Sequence, residues 1–331
     1  MFDEIKGQEK AIRIIKNFIL KNRFPHSLLF YGPEGVGKFL TAKSIAKYFN
    51  CSNENPDLKG NDNCDNCRKI ENGIFPDVFF IEPEKKEIKI SQIREIIYKA
   101  FLKPIQSKYK FFIINDADAM NQYSENSFLK TLEEPPENNY IILITHNINS
   151  MLDTIISRCW TIEFNRIPPE IIKQIIIEKK PEISEETAET ISIISNGSLN
   201  KAFKLAESEI LNKILETINN TINFFNKKNF DFENFKNVVS LFSEIEQEEV
   251  SYIFEFLSGE FIEDYFYYNY KIPKTVNAKN ILNFNIENVN LERLNRFINL
   301  LKQVRYDLIN TNVNFNLLIE KFLIEGREFI R

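Results

Sequence analysis

Gly32-Pro33-Glu34-Gly35-Val36-Gly37-Lys38 has the glycine and lysine spacing of a loop that cradles nucleotide phosphates, but it closes on Phe39 where a Ser or Thr hydroxyl would hold magnesium. Glycines let backbone N–H groups turn toward an anion, and the lysine adds a positive charge. A phenyl ring offers no oxygen to an ion, so the run promises a cradle without its metal ligand. Two readings follow: a nucleotide holder that works without metal, or a loop kept as a packed turn at a helix start. A second constellation is the Cys64-x-x-Cys67 knuckle with Cys51 upstream. In a chain this long, that spacing favours metal over a disulfide scaffold. Nothing nearby has the character of a general base, so zinc there would be structural. A third candidate is Arg158, which follows the amphipathic stretch Met151 to Ile156 and stands at the edge of its module. Alone, an arginine at a helix end is an ordinary solvated or salt-bridged residue.

These groups need a scaffold. Apolar runs at Leu28 to Tyr31, Val78 to Ile81, Phe111 to Ile114, Tyr140 to Thr145 and Trp160 to Phe164 predict five strands. Helical patterns alternate with them, among them Ile90 to Phe101 and Gln122 to Leu132, so the sheet should be parallel in an α/β module over residues 1–166. That module carries the cysteines in an insertion at 51–67. Ile167-Pro168-Pro169-Glu170 breaks the alternation, and the remainder has helical spacing, with turn signals at Asn196-Gly197 and Lys271-Ile272-Pro273. A small helical domain over 167–208 and a larger one over 209–331 are expected. At 331 residues and 43% hydrophobic composition, two or three domains can each bury a core. A net charge of -5 excludes a large self-sufficient DNA-binding face, though local basic patches stay open. The charged start and the lack of any 18-residue apolar run predict a soluble cytoplasmic protein with no membrane partner.

Four segments together resemble bacterial clamp-loader subunits of the AAA+ class, most nearly those of the delta prime kind in DNA polymerase III. They are Phe2-Asp3-Glu4-Ile5-Lys6-Gly7-Gln8, Phe24 to Phe30, Asn126-Ser127-Phe128-Leu129-Lys130-Thr131-Leu132-Glu133-Glu134-Pro135-Pro136, and Ser157-Arg158-Cys159. The likeness is strong to about residue 205 and weaker beyond, where Asn310 to Asn314 before Leu317 and Leu318 looks like the family's last collar helices. It implies an AAA+ P-loop module, a helical lid over 167–208 and an all-α collar over 209–331. Implied partners are subunits of the gamma/tau and delta kinds in a five-membered open ring, with the sliding clamp and primed DNA.

The resemblance puts a nucleotide pocket on Gly32, Gly35, Gly37, Lys38, Phe39, Asn115, Asp116, Thr145 and Asn200. Active relatives carry an Asp and a Glu where this chain has Asn115 and Asp116, and an Arg where it has Asn200. With Phe39, these departures remove the cation clamp and the water-positioning carboxylate, so hydrolysis by this chain is not expected. ATP or ADP could still bind, with no magnesium site. Arg158 corresponds to an arginine finger that reaches a neighbour's ATP in trans. The rival is an active gamma/tau-like motor subunit, or a related AAA+ ATPase, in which Asp116 substitutes for the missing carboxylate. A stand-alone nucleic-acid binder built on the knuckle would need a more basic chain. Relatives carry four cysteines in the insertion, and the second place is Asn61 here. Asp62, Asp65 or water would then complete the zinc tetrahedron, or the site is decaying. The aromatic run from Phe254 to Tyr270 lacks interleaved cations and reads as a packed collar helix.

Overall fold

The computed structural model describes residues 2–55, 59–60, 63–227, 229–270 and 291–330. In chain order, α1 (Glu9–Leu20) leads to β1 (Ser27–Tyr31), and the glycine-rich turn joins β1 to α2 (Lys38–Asn50). Then come α3 (Asp65–Glu71), β2 (Val78–Ile81), α4 (Ile90–Phe101), β3 (Lys110–Ile114) and α5 (Gln122–Glu133), followed by β4 (Asn139–Thr145), α6 (Asp153–Ile156) and β5 (Trp160–Glu163). The strands form one parallel sheet in the order β2-β3-β4-β1-β5. The expected α/β architecture with a parallel sheet is therefore present, each strand starting and ending within a residue of its apolar run.

The inner strands of a parallel sheet are covered on both faces, which is why β1, β3 and β4 are nearly continuous apolar runs, whereas on the edge strand β5 only Ile162 is buried. Leu28, Leu29, Phe30 and all of Phe111 to Ile114 have no exposed surface. β1 lies between β4 and β5, with Tyr31 opposite Thr145 and Glu163. The carboxyl ends of β1, β3 and β4 thus open onto one edge, the usual place for a ligand crevice in such sheets. Gln8 straps the N-terminal segment to the end of β5: its amide nitrogen donates to the Asn165 carbonyl at 2.6 Å, and its amide oxygen accepts from the Asn165 N–H at 3.1 Å.

The chain divides into two compact units, Met1–Ile167 and Pro168–Arg331. Pro169 starts α7 (Pro169–Lys179), a position where a missing N–H removes no helical hydrogen bond. α8 (Glu185–Ile194), α9 (Leu199–Leu205), α10 (Ser208–Asn226), α11 (Phe232–Ser243), α12 (Gln247–Tyr270), α13 (Leu291–Asn310) and α14 (Phe315–Ile330) complete this unit. Its core is aromatic. Phe254 and Phe322 meet edge-to-face at 4.8 Å, and Phe225 meets Phe322 likewise at 5.6 Å. Phe254, Phe256 and Phe261 are buried, as a packed helix requires. The side chains of Tyr265 to Tyr270, and the turn Lys271-Ile272-Pro273, lie outside the described residues. Glu255 of α12, 9% exposed, accepts from Lys201, Arg305 and Asn196 and so ties α12 to α9, α13 and the turn after α8. Among the described residues, no helix is long and apolar enough to cross a membrane.

Candidate nucleotide cleft

The cleft begins with backbone constraint at the end of β1. Gly32 has φ +138°, and a β-carbon there would lie 2.0 Å from the Phe164 carbonyl oxygen, so only glycine lets the loop pass β5. Gly37 is left-handed, at φ 97°, and caps α2 without a side-chain hydrogen bond. Gly35 is also left-handed, at φ 72°. Lys38 follows at the helix start, 7% exposed, with Nζ donating to the carbonyls of Gly32 at 2.6 Å and Pro33 at 2.5 Å. Burial pulls its ammonium down to about 8, against the upward pull of Asp116, Glu34 and Asp118. The helix N-terminus and a buried lysine meet at one point, which suits an anion.

The ion side of the cleft is filled by internal contacts. The Phe39 ring packs against Phe80 of β2, centroids 5.5 Å apart, with the Lys43 ammonium 5.9 Å from its centroid. Asn115 directly follows β3, with its N–H on the Ile81 carbonyl at 2.9 Å, while its side-chain amide donates to the Asp116 carboxylate at 3.2 Å. Asp116 is left-handed, at φ 48° and ψ 50°. Its carboxylate lies 3.7 Å from His146 Nδ1, and that of Asp118 lies 3.3 Å from His146 Nε2. Thr145, fully buried at the end of β4, donates to Asp118 at 2.7 Å. The hydrogen bond to Asp116, helped by the charges of Asp118 and Asp116, raises the His146 imidazole above its ordinary value despite burial and the nearby Lys38. Asp118 and His146 are members of this cleft that motif reasoning missed. A carboxylate two residues past Asp116 and a histidine directly after the Thr145 strand end were the available signals.

Asn200 belongs to the other compact unit, where it is exposed on α9. Arg158 sits just past α6. Nη1 donates to the Thr154 carbonyl at 3.0 Å and Nη2 lies 3.4 Å from a Glu133 carboxylate oxygen, with 30% of the side chain exposed. An ion pair of that exposure is worth about 0–1 kcal/mol, so it holds the guanidinium only loosely.

The three insertion cysteines converge. Their sulfurs lie within 4.8 Å of one another, and Cys51 and Cys64 are 3.8 Å apart, close to the edge of about 3.8 Å that zinc–sulfur bonds of about 2.3 Å give a tetrahedron. Cys64 caps α3 and accepts from the Cys67 N–H at 3.4 Å. Burial, then the neighbouring thiols, push the Cys67 thiol up. Three thiol donors in this arrangement fit a structural zinc. Asp65 does not join them: its carboxylate turns to Lys69 at 2.7 Å and Arg68 at 3.9 Å. Asn61 and Asp62 lie outside the described residues. The fourth cysteine, Cys159, packs against the sheet core, where burial pushes its thiol up to about 12.

The family described as "DNA polymerase III, delta subunit" matches over residues 7–168. The chain is 35% identical over 193 residues to DNA polymerase III subunit delta' of Bacillus subtilis, covering 57% of this chain and 56% of that one. It is 33% identical over 213 residues to subunit tau of the same organism, covering 63% and 38%, and 32% identical over 216 residues to subunit gamma of Buchnera aphidicola, covering 63% and 58%. The matches thus span between about two fifths and three fifths of these relatives' own lengths. A solved gamma-subunit-related protein of Thermotoga maritima is similar at TM-score 0.47 and 18% identity, covering 98% of this chain and 100% of that chain.

Proposed function

We propose, from the premise that over residues 7–168 the chain belongs to the clamp-loader family of DNA polymerase III, that it acts there as a delta-prime-like subunit that does not hydrolyse ATP. The observation that carries this reading is the asymmetry of its cleft. Lys38 and the glycine turn keep what an anion needs, whereas Phe39 is committed to Phe80, and Asp116 and Asp118 to His146 and Thr145. Metal-assisted phosphoryl transfer needs a cation clamp and a positioned water, and those positions carry other contacts here. Nucleotide, if taken, binds by its phosphates on the loop and Lys38.

Arg158 is the residue through which the chain serves another site. Loosely held by Glu133 and partly exposed, its guanidinium can exchange that partner for phosphate oxygens on an adjacent subunit. Residues 167–208 then act as the lid and 209–331 as the collar, in a cytoplasmic five-membered ring with gamma/tau and delta subunits that places a sliding clamp on primed DNA. Cys51, Cys64 and Cys67 would hold zinc as a tie between the end of α2 and the start of α3. The rival, a hydrolysing gamma/tau-like subunit, draws on relatives of those names and on the two cleft carboxylates. Tagged protein recovered from its own cells should bring down gamma/tau and delta subunits, identified by mass. Recovery with no DNA polymerase III component would sink the assignment.

A further inference from the structure

At the other end of the sheet from the phosphate loop lies an aromatic cavity of about 430 Å³. Phe24 precedes β1, Tyr109 precedes β3 and Tyr140 is the second residue of β4, while Tyr48 and Phe49 come from the last turn of α2. Phe49 is the hub, with ring centroids 4.9 Å from Phe24, 5.2 Å from Tyr140, 5.4 Å from Tyr109 and 5.7 Å from Tyr48. None of these five rings is fully buried, and all five line the cavity.

The charge around them decides what could enter. In a chain of net charge -5, no acidic residue lines the cavity among the described residues, and its one charged lining residue is Lys59. The Lys59 ammonium stands 5.6 Å from the Tyr48 centroid, and Lys108 stands 5.4 Å from that of Tyr109. Cations already seated on the rings disfavour a quaternary or methylated ammonium guest, the other habitual occupant of an aromatic cage. A flat ring attached to a negative group fits both features. Asn22 and the tyrosine hydroxyls add hydrogen-bonding groups suited to a base edge.

We propose that this cavity binds an unpaired nucleotide of single-stranded DNA, the base stacking on the aromatic cluster and the phosphate meeting Lys59 and Lys108. Base-on-aromatic stacking with interleaved cations is the general way proteins hold single strands without reading sequence. The choice of DNA over RNA rests on the clamp-loader reading; the stacking and charge arguments do not.

The test is fluorescence anisotropy of the full chain with a short fluorescein-labelled oligothymidylate in low salt. Binding in the range of about 1–100 μM is expected. Lys59→Glu, a loop change that spares the fold, should weaken it about tenfold and flatten the salt dependence by about one unit of slope. Tyr48→Leu, which keeps apolar bulk, should also weaken it about tenfold. Excess ADP should leave the oligonucleotide bound. Absence of binding, full binding by Lys59→Glu, displacement by ADP, or tighter binding of the matching oligouridylate would each overturn the proposal. Because the assay needs no ring, those failures leave recovery of clamp-loader partners unaffected, and the two ideas fall separately.

Discussion

The phosphate side and the ion side of the cleft lie within a few residues of each other yet are built differently. On the phosphate side, backbone geometry fixes the residue types: Gly32 has no room for a β-carbon beside Phe164, and Lys38 is buried on two loop carbonyls. On the ion side, the residues that differ from a metal site have found other partners within the fold. Phe39 meets Phe80, Asn115 meets Asp116, and the two aspartates meet His146 and Thr145. Each of these side chains is tied to another part of the cleft, so on the proposed reading restoring one of them alone does not restore a metal site.

The largest effect belongs outside the cleft. In an assembled loader, Arg158→Ala should lower hydrolysis at the neighbouring site by about 10³- to 10⁵-fold. The chain's own melting temperature should hardly move, because the pair it loses with Glu133 is exposed. Unchanged hydrolysis would leave Arg158 as a surface residue only. Within the cleft, Gly32→Ala should cost about 2–5 kcal/mol of stability, read from denaturant unfolding, through the clash with Phe164 and the unfavourable φ. Phe39→Thr should cost less, about 1–3 kcal/mol for a half-buried ring lifted from Phe80. It should also gain no ATP turnover, alone or combined with Asn115→Asp and Asp116→Glu. Measurable turnover in the triple variant would mean that the ion side is latent and its new contacts are incidental.

The smallest change concerns titration. Asp116 raises the His146 imidazole, so Asp116→Asn should lower that value in an NMR titration. The sign for stability follows from the direction. The charged pair contributes fully below the ordinary histidine range, and that contribution fades as pH rises through the raised value. A histidine insensitive to Asp116→Asn would break the link between the two groups.

Much of this was legible in the chain. Strands buried on both faces must be continuous apolar runs, so Val78 to Ile81 and Phe111 to Ile114 announced themselves. The glycine and lysine spacing of the loop is local chemistry and was equally plain. What escaped depends on folding. The left-handed turn at Asp116 brings Asp118 back to Thr145, a contact across 27 residues, and brings both carboxylates to His146. Lys110, which in the sequence is one more cation beside Tyr109, is 3% exposed, and its Nζ donates to the Lys99 and Leu102 carbonyls. Asp65, a candidate fourth metal ligand by proximity, is drawn to Lys69 one helical turn away. Spacing names the residue types in a neighbourhood; the pairings are decided by which backbone turns bring them face to face.

Phosphate release from Mg·ATP by the purified chain alone, followed through a first turnover and into steady state, tests the helper role most directly. Neither a burst nor a steady rate above a protein-free control is expected, and the same holds when primed DNA and clamp are added without the other subunits. Stoichiometric release in the first turnover, removed by Lys38→Ala, would contradict it and make this chain a motor in its own right.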